Sequence, residues 1–349
     1  MKKYLFDLDY NSLCELKHFD SKFRIKQIVD FVFKKLEFDI NKMTSLPIDL
    51  RKKIDDLFFI NNLTVEKKYI SEDGTIKYLF RLEDGNFVES VSLSDINNRK
   101  TFCISTQVGC RMGCTFCKTG KIGFIRDMTP DEIVSQVILL HKYSISDQDD
   151  KSRFNIVLMG MGEPLDNISN LKKGLSIITG KEFFGLSQDR ITLSTCGVVD
   201  RIDDFFDEFP GVNLAVSLNS NINDKRKQTM PITNKHSIEQ IVKAVKNYTQ
   251  KYKKRVTLEY VLIKSFNNGE DELAGFVKNF KGLDVLINLI PLNHSDDKSA
   301  PPSNNEIMEF KTKLEKSGFT VTRRYRRGSD INADCGQLYG SYKSGQICL

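Results

Sequence analysis

Apolar residues recur at helical spacing over 24–36, where Ile25, Ile28, Val29, Val32, Phe33 and Leu36 share one face, and again over 49–58 after Pro47. Residues 1–60 therefore read as a helical segment, rich in Lys and Phe, that could stand as a small accessory domain. The period then changes. Segments 65–69, 75–82 and 87–93 have strand character, and Glu72-Asp73-Gly74 and Glu83-Asp84-Gly85 are turn signals between them. This predicts an antiparallel β extension, or linker, over 61–100. From 101 to 349 strands and helices alternate. Predicted strands are 101–105, 154–159, 190–194, 212–218, 256–262 and 285–290; predicted helices lie near 130–143, 168–178, 237–252, 270–280 and 304–317. Such alternation implies an α/β fold of parallel strands with helical crossovers. Six units make a partial (β/α)6 barrel, whose chemistry belongs at the C-terminal ends of the strands.

A chain of 349 residues is long enough for this barrel plus a smaller attachment. No stretch of about 18 apolar residues occurs, so no transmembrane helix and no membrane partner are expected. Asp7 follows the start too closely for a signal peptide, and the cytoplasm is the expected compartment. The net charge of +6 favours a polyanionic partner only weakly; its distribution says more. Arg323-Arg324-Tyr325-Arg326-Arg327 is the densest basic run, and guanidiniums flanking an aromatic ring suit phosphate contact and base stacking. A solvated basic face is the competing interpretation. Lys22, Arg24, Lys26, Lys34 and Lys35 could form a second RNA-facing patch.

The cysteines sharpen the picture. Cys110, Cys114 and Cys117 form C-x3-C-x2-C just after a predicted strand. Three thiolates on one loop can hold three irons of a four-iron cluster and leave the fourth open to a small molecule. A structural zinc site normally takes four ligands, often two C-x2-C pairs, and no second pair exists here. Farther on, Gly160-Met161-Gly162-Glu163-Pro164-Leu165 ends a predicted strand in glycines, which let backbone approach a ligand closely. Cys14, Cys196 and Cys348 read as bystanders.

The cysteine loop, with Phe116 before its last cysteine, resembles the radical S-adenosylmethionine superfamily. That resemblance implies a [4Fe-4S] cluster whose open iron chelates S-adenosylmethionine and whose electron yields a 5′-deoxyadenosyl radical. Over nearly the whole chain the likeness narrows to the RlmN/Cfr-type RNA adenosine methyltransferases. It is carried by Val88-Glu89-Ser90-Val91, Ser105-Thr106-Gln107-Val108-Gly109-Cys110, the Gly160–Leu165 stretch, Thr192-Leu193-Ser194-Thr195-Cys196-Gly197-Val198, Met230-Pro231-Ile232, Asn288-Leu289-Ile290-Pro291, and Gly328 through Leu338.

By this resemblance Cys335 first accepts a methyl group from one S-adenosylmethionine, and a second molecule supplies the radical. Cys103 forms a disulfide with Cys335 to release the product, and Glu89 accepts a proton. Gly162, Glu163, Ser194, Ser217, Leu218, Asn219 and Asn293 match cofactor-contacting positions, Glu163 being suited to the cofactor's ammonium. Carbon C2 of adenine is not nucleophilic, which explains the need for a radical. The resemblance further implies C2 methylation of an adenosine in the peptidyl-transferase region of 23S rRNA and of the adenosine beside the anticodon of some tRNAs. An electron donor such as flavodoxin or ferredoxin would serve the cluster. Gly162-Glu163-Pro164-Leu165 and the 256–262 strand resemble the RlmN branch; the rival is C8 methylation of the same adenine, as in Cfr. A radical enzyme acting on a peptide or small metabolite is a more distant rival. The chain departs from the usual pattern at Asn219, commonly His, at His294, commonly Pro, at Lys118 and Cys196, and at Asp334, commonly Ala. Activation of the Cys335 thiol is expected from Arg327 or the cofactor's sulfonium.

Overall fold

The computed structural model describes residues 2–8, 10–16, 19, 21–95, 97, 99–145, 154–293 and 299–339. Cys348 and His294 lie outside the described residues. A ten-stranded sheet runs through the chain. Its spatial order is Thr320–Arg323, Val285–Pro291, Val256–Leu262, Asn213–Ser217, Ile191–Thr195, Phe154–Leu158, Lys100–Cys103, Phe87–Ser94, Ile76–Arg81, Thr64–Ile70. The first seven are parallel and the last three pair antiparallel. Six β/α units are thus completed by a seventh parallel strand, Thr320–Arg323, which the sequence reading did not anticipate. With only four residues and running straight into the basic run at Arg323, it carries little strand signal; it forms because Leu286–Leu289 offers a paired edge. Three short helices also escaped the periodicity: Lys118–Ile122, Ile202–Glu208 and Asn223–Thr229. Each is too short to display two turns of an apolar stripe.

Alternation along the parallel strands sorts their two faces. Leu258 and Tyr260 point outward under the helices, where Tyr260 meets Phe276 and Phe310 at ring distances of 5.0 and 6.2 Å. Ser217, Glu259 and Asn288 stand in register on the opposite, inner face. The longer helices start on reciprocal caps: Thr129 with Glu132, Ser237 with Gln240, and Ser303 with Glu306.

The N-terminal segment supplies helices Tyr10–Glu15, Lys22–Val29 and Ile48–Leu57. It does not keep its core to itself. Phe33 lies edge-on to Phe6, Phe183 and Phe184 at 4.9, 5.1 and 5.0 Å, and the Asp7 carboxylate accepts from the Asp131 amide at 3.1 Å. Burial of Phe6, Val32 and Phe33 thus ties this segment to the barrel's helices. Among the described residues no helix is long and apolar enough to cross a membrane.

Candidate active site

The cysteine loop leaves the Gln107–Gly109 strand, which pairs with Phe124–Asp127, and enters the helix Lys118–Ile122. Gly109 has φ +75°, and a Cβ there would sit 1.9 Å from the Gly123 carbonyl oxygen, so the loop closes only with glycine. The Cys110 amide donates to Gly123 at 2.9 Å, Thr115 to Thr229 at 3.0 Å and Lys118 to Gly336 at 2.7 Å. The last bond ties the cysteine loop to the segment that carries Cys335.

Cys110, Cys114 and Cys117 line a cavity of about 160 Å³. Gly162, Glu163, Ser194, Ser217, Asn219, Asn293 and Cys335 line it too, from four strand ends and the C-terminal segment. Leu218 does not; its side chain is fully buried, and its carbonyl accepts from Arg226 at 2.8 Å. Burial pushes the Cys110 thiol up to about 12 and Cys114 upward as well, so these groups ionise only against a strong positive charge such as bound iron. Among the described residues no three His, Cys, Asp or Glu side chains converge on the space of a single ion. Three thiols spread around one cavity suit a multi-iron cluster, in which each binds a different iron.

The remaining lining offers acceptors. Glu163 is buried, and its carboxylate accepts from the amides of Cys196 at 2.7 Å and Leu165 at 3.1 Å. Burial nevertheless raises its pKa. Asn293 donates through Nδ2 to the Cys335 carbonyl at 3.0 Å, while its buried Oδ1 has no partner among the described residues. An orphaned acceptor and a buried carboxyl group lining one cavity fit a cationic ligand. The glycines before Glu163 serve the protein more directly than a ligand. A Cβ on Gly160 would lie 2.6 Å from the Ile104 carbonyl, and one on Gly162 would lie 2.6 Å from Gln107 Cβ. They let this loop press on 104–107, where Gln107 accepts from the Glu163 amide at 2.9 Å.

A second cavity, of about 380 Å³, lies on the other side of Cys335. It is walled by Cys103, the Phe87–Ser94 strand and the arginine segment, and it shares Cys335, Arg324, Met159 and Asn293 with the first. Cys103 and Cys335 both line it, and both are free thiols, so the structure lends no support to a standing disulfide. Burial pushes Cys103 up to about 12 and raises Cys335.

The basic run is divided. Arg323 donates to Asn304 at 2.7 Å, Arg326 to the Leu292 carbonyl at 2.5 Å, and Arg327 to the Ser94 carbonyl. Arg324 instead turns inward, 4.0 Å from Glu259 and 3.8 Å from the Met159 sulfur. Its guanidinium is the charge that most opposes the upward shift of Cys335. The cation beside Cys335 is therefore Arg324 rather than Arg327. Two further expectations change. Cys196 is no bystander, since it lines the first cavity and its amide holds Glu163. Glu89 stands apart from both cavities: it pairs with buried Lys77 at 3.0 Å and accepts from the Tyr339 amide at 2.7 Å. In the N-terminal patch, Lys34 is tied to Asp30 at 2.6 Å, Lys35 lies over the Phe31 ring and Arg24 reaches Gln27.

Sequence reasoning missed Glu259, Asn288 and Arg226. Glu259 lines the first cavity on the inner face and accepts from Asn288 at 2.9 Å. Arg226 is fully buried and donates to the Leu218, Cys196 and Ser217 carbonyls, fixing two neighbouring strand ends at once. Glu259 as the lone charged residue of the 256–262 strand was the available signal for the first. Arg226, in a charged helix, gave none.

Residues 104–277 match the radical SAM superfamily model. The chain is 40% identical over 328 residues to a probable dual-specificity RNA methyltransferase RlmN of Clostridium novyi, covering 93% of this chain and 94% of that protein. It is 42% identical to the Thermotoga neapolitana protein of the same name, covering 96% and 97%. It belongs to the RlmN family of radical SAM RNA methyltransferases. The fold agrees: a crystal structure of a radical SAM methyltransferase from Sphaerobacter thermophilus superposes with a TM-score of 0.92 at 35% identity, over 97% of this chain and 100% of that one. Membership in the RlmN family makes the chain an enzyme, and the radical SAM fold implies an iron–sulfur cluster and S-adenosylmethionine. The thiol-lined first cavity fits both.

Proposed function

We propose that this protein methylates C2 of an adenosine in 23S rRNA and of the adenosine beside the anticodon of tRNAs, with Cys335 as the methyl carrier. One observation carries the reading: Cys335 lies at the junction of two cavities, one with the cluster-type cysteines and the other with Cys103. Cys110, Cys114 and Cys117 would hold the cluster. Glu163, Asn293, Asn219, Ser194 and Ser217 would orient S-adenosylmethionine, helped by Gly162 and the Leu218 backbone. Together, when bound, these groups supply an electrophilic methyl group and an organic radical.

The chain's own residues do the rest. Arg324 favours the thiolate of Cys335, which is the form that accepts a methyl group. The one-carbon unit on Cys335 faces the second cavity, where an extruded adenosine would meet it. Joining carbon to ring there makes a covalent bond between RNA and protein. Cys103 lines the same cavity, so its thiolate could attack the Cys335 sulfur, breaking the bond from that sulfur to the new carbon on the adenosine and leaving a Cys103–Cys335 disulfide that an external thiol reductant reopens. Glu89 is the proton acceptor by resemblance; it lies outside the lining of both cavities, paired with Lys77 and accepting from the Tyr339 amide. An electron donor of the flavodoxin or ferredoxin kind would serve the cluster.

The test is mass spectrometry of nucleosides from the rRNA and tRNA of cells with and without the protein. The expected result is 2-methyladenosine lost with the gene in both pools. Appearance of 8-methyladenosine instead would move the protein to the C8 activity.

A further inference from the structure

Tyr325 is 76% exposed, more than any other large apolar side chain among the described residues. It is also held in place. The Arg323 guanidinium lies 5.6 Å from its ring centroid and is itself anchored on Asn304 at 2.7 Å. On the other side, Arg326 is pinned to the Leu292 carbonyl and Arg327 to Ser94. Both neighbours fix the backbone at Tyr325, while the ring buries little of itself. That ring stands on the wall of the second cavity, whose other residues include Cys103 and Cys335. A fixed, uncovered aromatic face at a cavity walled by arginines is complementary to an unpaired base and its phosphates.

We infer that Tyr325 is a stacking platform for the RNA base next to the one that enters the second cavity. The inference rests on the RNA reading above and adds the side chain that orders the strand at the site. Stacking is tolerant of base identity because every base presents a π-face. The platform therefore sets the position of the flanking nucleotide and leaves its identity open. Arg326 and Arg327, on the same wall, stand where the phosphates on either side of the flipped nucleotide would pass.

The chain contains no tryptophan, so Tyr325→Trp gives a protein with one indole at the site in question. The full-length protein, purified anaerobically, is titrated with an unmodified tRNA transcript whose anticodon loop carries an unpaired adenosine. Fluorescence of the Tyr325→Trp protein is expected to be quenched in step with binding and shielded from acrylamide. Tyr325→Ala is expected to weaken binding about 5- to 150-fold, the range for losing one stacked base, with an unchanged salt slope because no charge is removed. Tyr325→Phe, which keeps the ring, should bind as wild type. If the Tyr325→Trp protein binds the transcript with its indole unquenched, or Tyr325→Ala binds as tightly as Tyr325→Phe, the platform is refuted while the methyltransferase reading stands. If the wild-type chain shows no salt-dependent binding to the transcript, both fall together.

Discussion

The two cavities on either side of Cys335 differ in charge as well as in size. The first presents Glu163, Glu259 and the orphaned Asn293 oxygen, all acceptors, around three thiols. The second presents Arg326, Arg327 and the rim ring of Tyr325; its two carboxylates are occupied, Asp95 by Arg99 and Asp334 by the Arg327 amide. One side is built for a cation and the other for a polyanion, and a single sulfur belongs to both. Arg324 also lines both, and Glu259 holds it at 4.0 Å. The contrast explains how one cysteine could take a methyl group from a cationic sulfonium and pass carbon to an RNA base. Neither partner has to enter the other's electrostatic environment.

Breaking the first cavity should have the largest effect. Replacing Cys110, Cys114 and Cys117 by Ala removes every thiol of the loop, and the protein should lose its brown colour and about four irons per chain. Metal analysis and visible absorbance after anaerobic reconstitution check this. Retention of a full iron complement would locate the cluster elsewhere. The next effect falls on the second cavity. Cys103→Ala leaves Cys335 able to accept a methyl group but without the thiol that releases it. The variant should accumulate a protein–RNA adduct, seen as a slow, nuclease-sensitive band. The adduct should be missing from the Cys103→Ala, Cys335→Ala double variant. Normal turnover by Cys103→Ala would return Cys103 to a plain strand cysteine.

How far these sites were legible depended on how local their signals were. The cysteine loop occupies one short contiguous stretch and was legible from its spacing alone, whereas the strand-end glycines and Cys335 became legible through short stretches that resemble the family. The barrel was legible for the same reason: its longer helices and strands each display their period within one element. The junction was not. Arg324 looks like its neighbours in a basic run, and only pairing of Thr320–Arg323 with Leu286–Leu289 turns the chain so that Arg324 faces inward and Arg326 does not. Glu259 acquires meaning only when Ser217, Glu259 and Asn288 come into register across three strands. Glu89 was found by resemblance, but its partner Lys77 comes from the neighbouring antiparallel strand, a pairing no local pattern announces.

A smaller effect tests Arg324 as the shared element. Burial raises the pKa of Cys335 and the Arg324 guanidinium opposes that rise. Removing the cation in Arg324→Met leaves burial unopposed, so the thiol should ionise at still higher pH. Below its midpoint the thiolate fraction falls about tenfold for each unit of upward shift. Alkylation of Cys335 by iodoacetamide, followed across pH by peptide mass spectrometry, should show the midpoint displaced in the alkaline direction. Arg324→Lys should recover part of the shift, because it restores charge without the guanidinium's planar fork. A midpoint that stays put in Arg324→Met would leave Arg324 as a space-filling residue, and the two cavities would lose their common charge.

The smallest expected effect separates phosphate contact from structure in the arginine segment. Arg326 and Arg327 each spend a hydrogen bond on a backbone carbonyl, Leu292 and Ser94, yet a guanidinium has five donors and both side chains line the second cavity. Each can therefore brace the segment and still face a phosphate. Replacing the pair by Gln keeps a donor for the carbonyls and removes the two charges. If both meet phosphates, the slope of log binding constant against log salt should flatten by about 0.7–0.9 for each lost contact, while affinity at high salt changes little. Arg323→Gln, whose guanidinium is committed to Asn304 and the Tyr325 ring, should flatten the slope less. Equal slopes for all three variants and wild type would mean that these charges only brace the fold. The second cavity would then owe its RNA affinity to the aromatic rim rather than to its arginines.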